Sequence, residues 1–334
     1  MTALAPVDAT PLSEEAAEAT FGAILDGEIA DPAIAEFLVA LSERGETAAE
    51  IAGAARAMRA RMIPVSAPAN AIDVCGTGGD GHHTLNVSTA VSLVVAACGV
   101  PVAKHGNRAA SSKAGAADTL EALGLDLDRA AQTAEATLAD LGIAFLFAAR
   151  HHPAMARIMP IRRAIGRRTI FNLMGPLTNP AGVTRQLVGI ARPACVPIYG
   201  EALRRLGTAH ALVVSGDEGL DELSLAGGNE VAEVTGDALV MRRVAPGDAG
   251  LAPAPIESLR GGDAAFNAAA LRRLLLGERG AYRDAVLFNA AGALIVAGEV
   301  IDWHCGMEEA AEAIDKGLAN ALLDCWIAAV AGSR

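Results

Sequence analysis

Two stretches in the first third of the chain carry residue types that suit a phosphorylated ligand. The run Asp73-Val74-Cys75-Gly76-Thr77-Gly78-Gly79-Asp80-Gly81 places four glycines within six residues, directly after a strand-like segment. Glycine there admits positive φ and lets backbone N–H groups approach a ligand with no Cβ in between. The loop continues through His82, His83 and Thr84 into Asn86-Val87-Ser88-Thr89-Ala90, where an apolar helical run begins. The Ser88 and Thr89 hydroxyls would join the first helical amides at the positive end of a helix dipole, a place for a phosphate. The plainer alternative is that Asn86 or Ser88 only caps the helix. The second stretch, Lys104-His105-Gly106-Asn107-Arg108-Ala109-Ala110-Ser111-Ser112, sets two cations, a histidine, an amide and two hydroxyls in nine residues. That set can cradle a polyanion, although a solvated loop can carry the same residues.

Other phosphate motifs fit less well. Gly76, Gly78 and Gly81 satisfy the literal GxGxxG spelling, but the dinucleotide fingerprint needs its third glycine inside the opening helix and an acid about twenty residues on. Here the acid following Asp80 is Asp118. No Gly-Lys-Ser/Thr follows the loop either, which excludes a Walker A reading. Further along, Asp221-Glu222 pairs two carboxylates that could hold a hard cation, although Asp217 and Glu218 show how ordinary acidic loops are. Arg162 offers a planar fork for a carboxylate, within a cluster of Arg157, Arg163, Arg167 and Arg168 that reads mostly as a solvated helix face.

The elements that must position these groups follow from periodicity. The first sixty or so residues read as helices: Ser13 before Glu14 and Glu15, Asp31-Pro32, and Thr47 with Glu50 are start signals, and Phe21, Ile24 and Leu25, then Phe37, Leu38 and Leu41, recur at helical spacing. After Pro64 the pattern changes. Residues 71–75, 100–103 and 143–147 read as buried strands, with helices expected over 91–98, 114–123 and 128–141 between and before them. Residues 211–214 and 285–288 are further strand candidates. This alternation implies an α/β fold with a parallel sheet covered on both faces, so both ligand loops leave strands at their carboxyl ends and face one ligand. The segment from His151 to Pro180, rich in Arg and Pro, is expected to return to the helical part or to form a hinge, and 245–255 reads as a surface loop.

Bulk properties bound the function class. A chain of 334 residues can form two domains or one large α/β domain with an appendage. Apolar residues make up 52% and aromatics only 3%, which points to helices packed through small side chains. A formal charge of −12 disfavours nucleic acid, whose binding draws on Lys and Arg neutralising phosphates, while leaving room for a local basic pocket. The five cysteines are scattered without metal-like spacing and read as reduced thiols; Cys75 is given no chemistry. Met1–Thr20 lacks Lys and Arg, so no signal or transit peptide is expected, and the longest apolar run, 91–103, is too short to span a bilayer. A cytoplasmic protein without membrane contact is the expectation.

Taken together, the motifs at Gly76–Gly81, Asn86–Ala90 and Lys104–Arg108 resemble the signature of anthranilate phosphoribosyltransferases. His152-Pro153-Ala154-Met155, Arg168–Pro180 and Gly219-Leu220-Asp221-Glu222-Leu223-Ser224 are similar to later family motifs in the same order. The resemblance runs from Asp73 to Ser224. It implies a small all-helical domain (1–68, with 153–182 returning to it) and a larger α/β domain (69–152 and 183–334) with a mainly parallel central sheet, as in nucleoside phosphorylases of the pyrimidine type. It also implies transfer of the 5-phosphoribosyl group from phosphoribosyl pyrophosphate to the amine of anthranilate in tryptophan biosynthesis, two Mg2+ ions, and a homodimer formed through the helical part.

Carried over by position, Gly76, Gly79, Asp80, Thr84, Asn86, Val87, Ser88, Thr89 and the loop Lys104, His105, Gly106, Asn107, Arg108, Ala109, Ala110, Ser111 and Ser112 would hold phosphoribosyl pyrophosphate, with Ala116. Ser88, Asp221 and Glu222 would bind metal, and Lys104, Asp221 and Glu222 would serve the chemistry. Gly76, Asn107, Arg162, His105 and His152 would receive anthranilate. Relatives often carry Ser where this chain has Ala114 and Ala116, so a contact from position 116 would come from its backbone N–H. The reaction asks mainly for stabilisation of a departing diphosphate, since an aromatic amine is already neutral at pH 7; no covalent nucleophile is needed. The competing readings are a nucleoside phosphorylase of similar architecture and a non-catalytic relative that binds nucleic acid.

Overall fold

The computed structural model describes residues 10–109 and 113–332. Ala110, Ser111 and Ser112 of the expected cradle lie outside the described residues. The helices are α1 (Glu14–Leu25), α2 (Asp31–Arg44), α3 (Ala48–Arg59), α4 (Val87–Ala97), α5 (Ala116–Ala122), α6 (Leu127–Gln132), α7 (Ala134–Leu141), α8 (Ala148–His151), α9 (Met155–Ile165), α10 (Val196–Arg205), α11 (Ala264–Leu275), α12 (Ala281–Ala297), α13 (Trp303–Asp315) and α14 (Leu318–Gly332). The strands are β1 (Ile72–Gly76), β2 (Val102–Gly106), β3 (Ile143–Phe147), β4 (Arg185–Gly189), β5 (His210–Gly216), β6 (Asn229–Thr235) and β7 (Ala238–Val244). No described helix is long and apolar enough to cross a membrane.

The start signals act largely as read. Ser13 caps α1 by accepting the Ala16 N–H at 3.1 Å, and Thr47 with Glu50 forms a reciprocal capping box on α3. Helix α2 begins one residue early: Asp31 is already helical and Ala30 precedes it without a side-chain cap. Phe21 meets Phe37 and Phe171 edge to face, with centroids 5.8 Å apart in both pairs, so residues after His151 pack into the same apolar cluster as α1–α3.

The seven strands form one sheet in the order β3-β2-β1-β4-β5-β6-β7. Strands β1 to β5 run parallel, and β6 and β7 are added antiparallel. One face is covered by α4, α12 and α14; the other takes α10 and the helical cluster. Chain order reverses direction between β3 and β4, so the carboxyl ends of β1 and β4 flank a topological switch point, the crevice where open α/β sheets bind ligands.

Two further expectations fail, and three strands went unread. Residues 285–288 are not a strand but lie inside α12, whose apolar residues surround the helix because it is buried nearly all round; a short apolar run cannot by itself distinguish the two. The helix expected over 128–141 breaks at Thr133 into α6 and α7. Strands β4, β6 and β7 went unread; the last two form a hairpin closed at Gly236-Asp237, with β7 mostly exposed and therefore weakly patterned.

Glu50 is fully buried and accepts from Arg44, from the Leu12 and Thr47 N–H groups and from the Thr47 hydroxyl. Burial pushes its carboxyl pKa up, but these donors together hold it below its ordinary value. A depressed carboxyl contributes stability above its unfolded pKa of about 4.3 and loses it as pH falls through the folded value. Glu50→Gln should therefore cost about 1–3 kcal/mol at pH 7, with the gap from the unaltered chain closing toward pH 3, as read by thermal melting across that range.

Candidate active site

At the switch point the ends of β1 and β4 are paired in register, Gly76 opposite Gly189. The turn that follows β5 lies across both. A Cβ on Gly189 would stand 1.6 Å from the Asp221 carbonyl oxygen, and one on Gly76 would stand 2.2 Å from Asp221 Oδ2. Only glycine at these two strand ends lets the Asp221 backbone and carboxylate sit there. The Gly78 N–H donates to Asp221 Oδ2 at 2.6 Å, and Gly78, Gly79 and Gly81 all have positive φ. Thr77 donates its N–H to the Gly189 carbonyl at 2.9 Å, and the His82 ring meets the Glu218 carbonyl at 3.1 Å, which fastens the glycine loop to the acidic turn from both sides. Thr84 bridges to Arg260 as an isolated antiparallel pair.

The carboxylates are crowded. Burial, then the charge of Asp80, pushes Asp221 well above the usual carboxylate range. Glu222 is raised by burial and by Asp221, against the opposing charge of Lys104, and its Oε1 accepts the Ser88 N–H at 3.1 Å. Such a set is poorly neutralised by the protein itself. Among the described residues no three His, Cys, Asp or Glu side chains converge as a ready-made metal cage. Mg2+ keeps waters and is bound through one or two carboxylates together with substrate phosphates. The hard-oxygen donors of Asp221 and Glu222, only partly offset by Lys104, fit such an ion, and the Ser88 hydroxyl accepts from Lys104 Nζ at 3.1 Å.

Lys104 is not a free arm. It is 3% exposed and lies under the start of α4, with Nζ donating to the Val74 carbonyl at 2.7 Å and to Ser88 Oγ at 3.1 Å. Its charge thus reaches a ligand through the α4 N-terminus, where the Thr89 hydroxyl is buried without a partner and Val87 is buried. Asn86 does not cap α4: its amide donates to the Ala114 carbonyl at 3.3 Å and accepts from Thr119 Oγ1 at 2.5 Å and from Asn267 Nδ2 at 2.9 Å. Arg108 is turned to Asp118 and Glu121 and lies over the Phe147 ring, so it would have to exchange partners to meet a phosphate. Asp118 also accepts the Ala109 and Gly115 N–H groups and shapes this loop. Asn107 is exposed, with its Oδ1 accepting the Arg108 N–H at 2.8 Å, and Ala116 opens α5 beside Gly106. Cys75 is buried against Asp73, and burial pushes its thiol far up, which removes it as a nucleophile.

On the other side of the β2 end, the His105 and His152 rings are 5.2 Å apart. Burial lowers His105 to about 3 and His152 to about 4, so both are neutral at pH 7. His105 Nδ1 meets the Gly175 carbonyl at 2.8 Å and must donate to it, leaving Nε2 as a buried acceptor without a partner; His152 Nε2 is likewise unpartnered. Arg162 sits on α9, with its guanidinium over the Phe171 ring and 3.3 Å from Asn172 Oδ1. Its hydrogen-bond partners, Asn172 and Met159, are both neutral, whereas Arg157 and Arg167 pair with Asp31 and Glu43. Arg162 therefore keeps an uncompensated charge for a carboxylate.

Comparison with known proteins identifies the family. Residues 7–62 match a model of the glycosyl transferase family helical bundle domain, and residues 68–320 match that of the glycosyl transferase family a/b domain. An anthranilate phosphoribosyltransferase of Novosphingobium aromaticivorans is 78% identical over 98% of this chain and 99% of its own length. The chain belongs to the anthranilate phosphoribosyltransferase family. The family member of Thermus thermophilus superposes with a TM-score of 0.91 at 44% identity, covering 97% of each chain. That of Saccharomyces cerevisiae, solved in complex with phosphoribosyl pyrophosphate and Mg, does so with a TM-score of 0.87 at 28% identity, covering 96% of this chain and 94% of the yeast one.

Reading by motif missed the residues that hold the site from behind: Asp118, Asn267, Asn229, Asn289 and Tyr282, whose hydroxyl donates to the Asn86 carbonyl at 3.2 Å. The available signal was a lone amide inside an apolar helical run, as at Asn289. The glycine geometry yields a direct test. In Gly76→Ala the added Cβ must displace the Asp221 carboxylate, so divalent-ion binding with a diphosphate ligand should weaken by about 10- to 100-fold and the melting temperature should fall as the buried turn is overpacked; calorimetry with Mg2+ and pyrophosphate reads the first and thermal unfolding the second.

Proposed function

We propose that this chain transfers the 5-phosphoribosyl group of phosphoribosyl pyrophosphate to the amine of anthranilate, giving N-(5-phosphoribosyl)anthranilate and pyrophosphate, as a step of tryptophan biosynthesis in the cytoplasm. The observation that carries the reading is the seating of the Asp221-Glu222 turn on the paired strand ends Gly76 and Gly189, within hydrogen-bond reach of both the glycine loop and the α4 N-terminus.

In this reading the loop amides from Gly76 to Thr84, the start of α4 at Val87–Thr89 and the Lys104–Ser112 loop hold the sugar phosphate and diphosphate. Ser88, Asp221 and Glu222 hold two Mg2+ ions with it. Bound Mg2+ would draw off negative charge from the diphosphate oxygens as they leave. Lys104 adds a fixed positive charge behind Ser88 that needs no rearrangement during the reaction, which is the preorganised electrostatic stabilisation a loose glycosyl transfer uses. Arg162 pairs the anthranilate carboxylate, and Gly76 and Asn107 complete its seat. The unpartnered Nε2 atoms of His105 and His152 are buried acceptors, which, once uncovered by substrate binding, would accept an N–H from the incoming amine and orient its lone pair. With folded pKa values near 3 and 4 neither ring is a strong base, so their part is to orient the amine. A homodimer through the helical part, with residues 1–68 and 153–182 in one domain and 69–152 and 183–334 in the other, completes the reading on the strength of the family resemblance.

The test is loss of anthranilate fluorescence on adding phosphoribosyl pyrophosphate and Mg2+. Phosphorolysis of thymidine without turnover of anthranilate would replace this reading with a nucleoside phosphorylase. Within the reaction, Arg162→Ala should raise the KM for anthranilate by about tenfold or more and leave the KM for phosphoribosyl pyrophosphate near its original value. Asp221→Asn with Glu222→Gln should instead lower kcat by about 100-fold or more and raise the Mg2+ concentration needed for half-maximal rate. Steady-state kinetics with each substrate and with Mg2+ varied separates the two.

A further inference from the structure

The residues just after the Asp221-Glu222 pair are held by buried amides. Asn289 on α12 accepts the Leu223 N–H at 2.8 Å through Oδ1 and donates from Nδ2 to the Leu223 carbonyl at 2.9 Å. The same nitrogen donates to the Ala285 carbonyl at 2.9 Å, one helical turn back. Asn229 on β6 treats the following residue alike: Ser224 N–H donates to its Oδ1 at 2.6 Å, and its Nδ2 donates to the Ser224 carbonyl at 3.2 Å. Both asparagines are 0% exposed.

Two features single out Asn289. It engages both the N–H and the C=O of the residue adjacent to Glu222, so it fixes the roll of that backbone as well as its distance. It also stands in a helix otherwise buried through Ala285, Val286, Leu287, Phe288, Ala290 and Ala291, where an amide is costly unless its bonds are made. The bond to Ala285 locks the side-chain rotamer, and the remaining donor and acceptor both go to Leu223. From the opposite side, the Asp221 carbonyl rests on Gly189. The two carboxyl-bearing residues are thus bracketed between a glycine that admits them and an amide that stops them from moving away.

Such a bracket has a use, because Asp80, Asp221 and Glu222 repel one another and an untethered turn would relax by spreading. We propose that Asn289 is a positioning residue for metal binding: by clamping Leu223 it holds Asp221 and Glu222 close enough to share divalent ions. This rests on their assignment as ion ligands under the proposed function.

Manganese(II), followed as the free ion by electron paramagnetic resonance, measures the effect on the full-length chain without recourse to turnover. Asn289→Ala and Asn289→Ser should weaken Mn2+ binding by about 10-fold or more. Glu50→Gln, a comparable buried change in the helical part, should lower the melting temperature and leave Mn2+ affinity unchanged. If Asp221→Asn with Glu222→Gln binds Mn2+ as the unaltered chain does, the ligand assignment itself fails. If that double variant loses Mn2+ while both Asn289 variants keep full affinity, the assignment stands and the positioning role is overturned. Asn289→Ser retains a hydroxyl able to bond the Ala285 carbonyl, at the slight helix destabilisation such a back-bond carries, while losing both bonds to Leu223. Hydrogen exchange on the unaltered chain needs no variant: the Leu223 amide should be as protected as the core of α12, and exchange at the rate of an open loop would show that the clamp is not made.

Discussion

The site depends on one close approach: the backbone of Asp221 crossing two paired strand ends where no side chain intervenes. Gly76 and Gly189 leave room for a carbonyl and a carboxylate that a single methyl group at either position would displace. Everything else about the donor side follows from that contact. It brings the acidic turn after β5 under the glycine loop after β1, and it puts Glu222 within reach of the first amides of α4. A sheet whose strand order reverses between β3 and β4 provides the crevice, and the glycines make it deep enough to be filled by protein carboxylates as well as by ligand.

A second linkage joins this crevice to the acceptor side. Asp73, buried in β1, accepts the His105 N–H at 3.1 Å and the Asn179 side-chain amide at 2.8 Å. Asn179 also donates to the Ala103 carbonyl, and its own oxygen takes the Ala181 N–H. Burial raises the Asp73 carboxyl, while Lys104 and these donors oppose the rise. The same segment carries Gly175, whose carbonyl fixes His105, and follows the helix that carries Arg162. Phosphate loop and acceptor residues are therefore held to one buried carboxyl group, so that the distance between the two substrates is set by the core of the sheet rather than by exposed loops.

What could be read from sequence divides along physical lines. The glycine loop and the α4 start were legible because each is a local pattern, glycine spacing and a hydroxyl pair before an apolar helix. Adjacent acids do not set Asp221-Glu222 apart from Asp217 and Glu218, and the family resemblance singled that pair out. The strands that alternate with helices were legible through β3, where short apolar runs sit between clear helical periods. Residues 285–288 misled because a helix buried on nearly all sides shows no stripe, and β7 was missed because an exposed edge strand shows little alternation. Lys104 and Arg108 illustrate a different limit. Their types and spacing suggested two equivalent cations in a cradle, yet one is buried beneath α4 and the other is paired with Asp118 and Glu121. Nothing local distinguishes them, because the acids that capture Arg108 and the strand that buries Lys104 are set by tertiary packing.

The supporting amides left only a faint local signal, such as the lone Asn289 in an apolar helical run, and they change how the carboxylates should be understood. Asp80, Asp221 and Glu222 are brought together at a cost that desolvation and mutual repulsion both increase. With its backbone clipped to α12 and β6 and its floor cut away to glycine, the acidic turn is held by the fold itself, so under the proposed function the energy released by binding cation and diphosphate would not have to be used to assemble the site. The stability for this comes from elsewhere in the fold, from the apolar layers on either face of the sheet, which is why the C-terminal helices, poor in recognisable motifs, belong to the chemistry as much as the loops that touch the ligand.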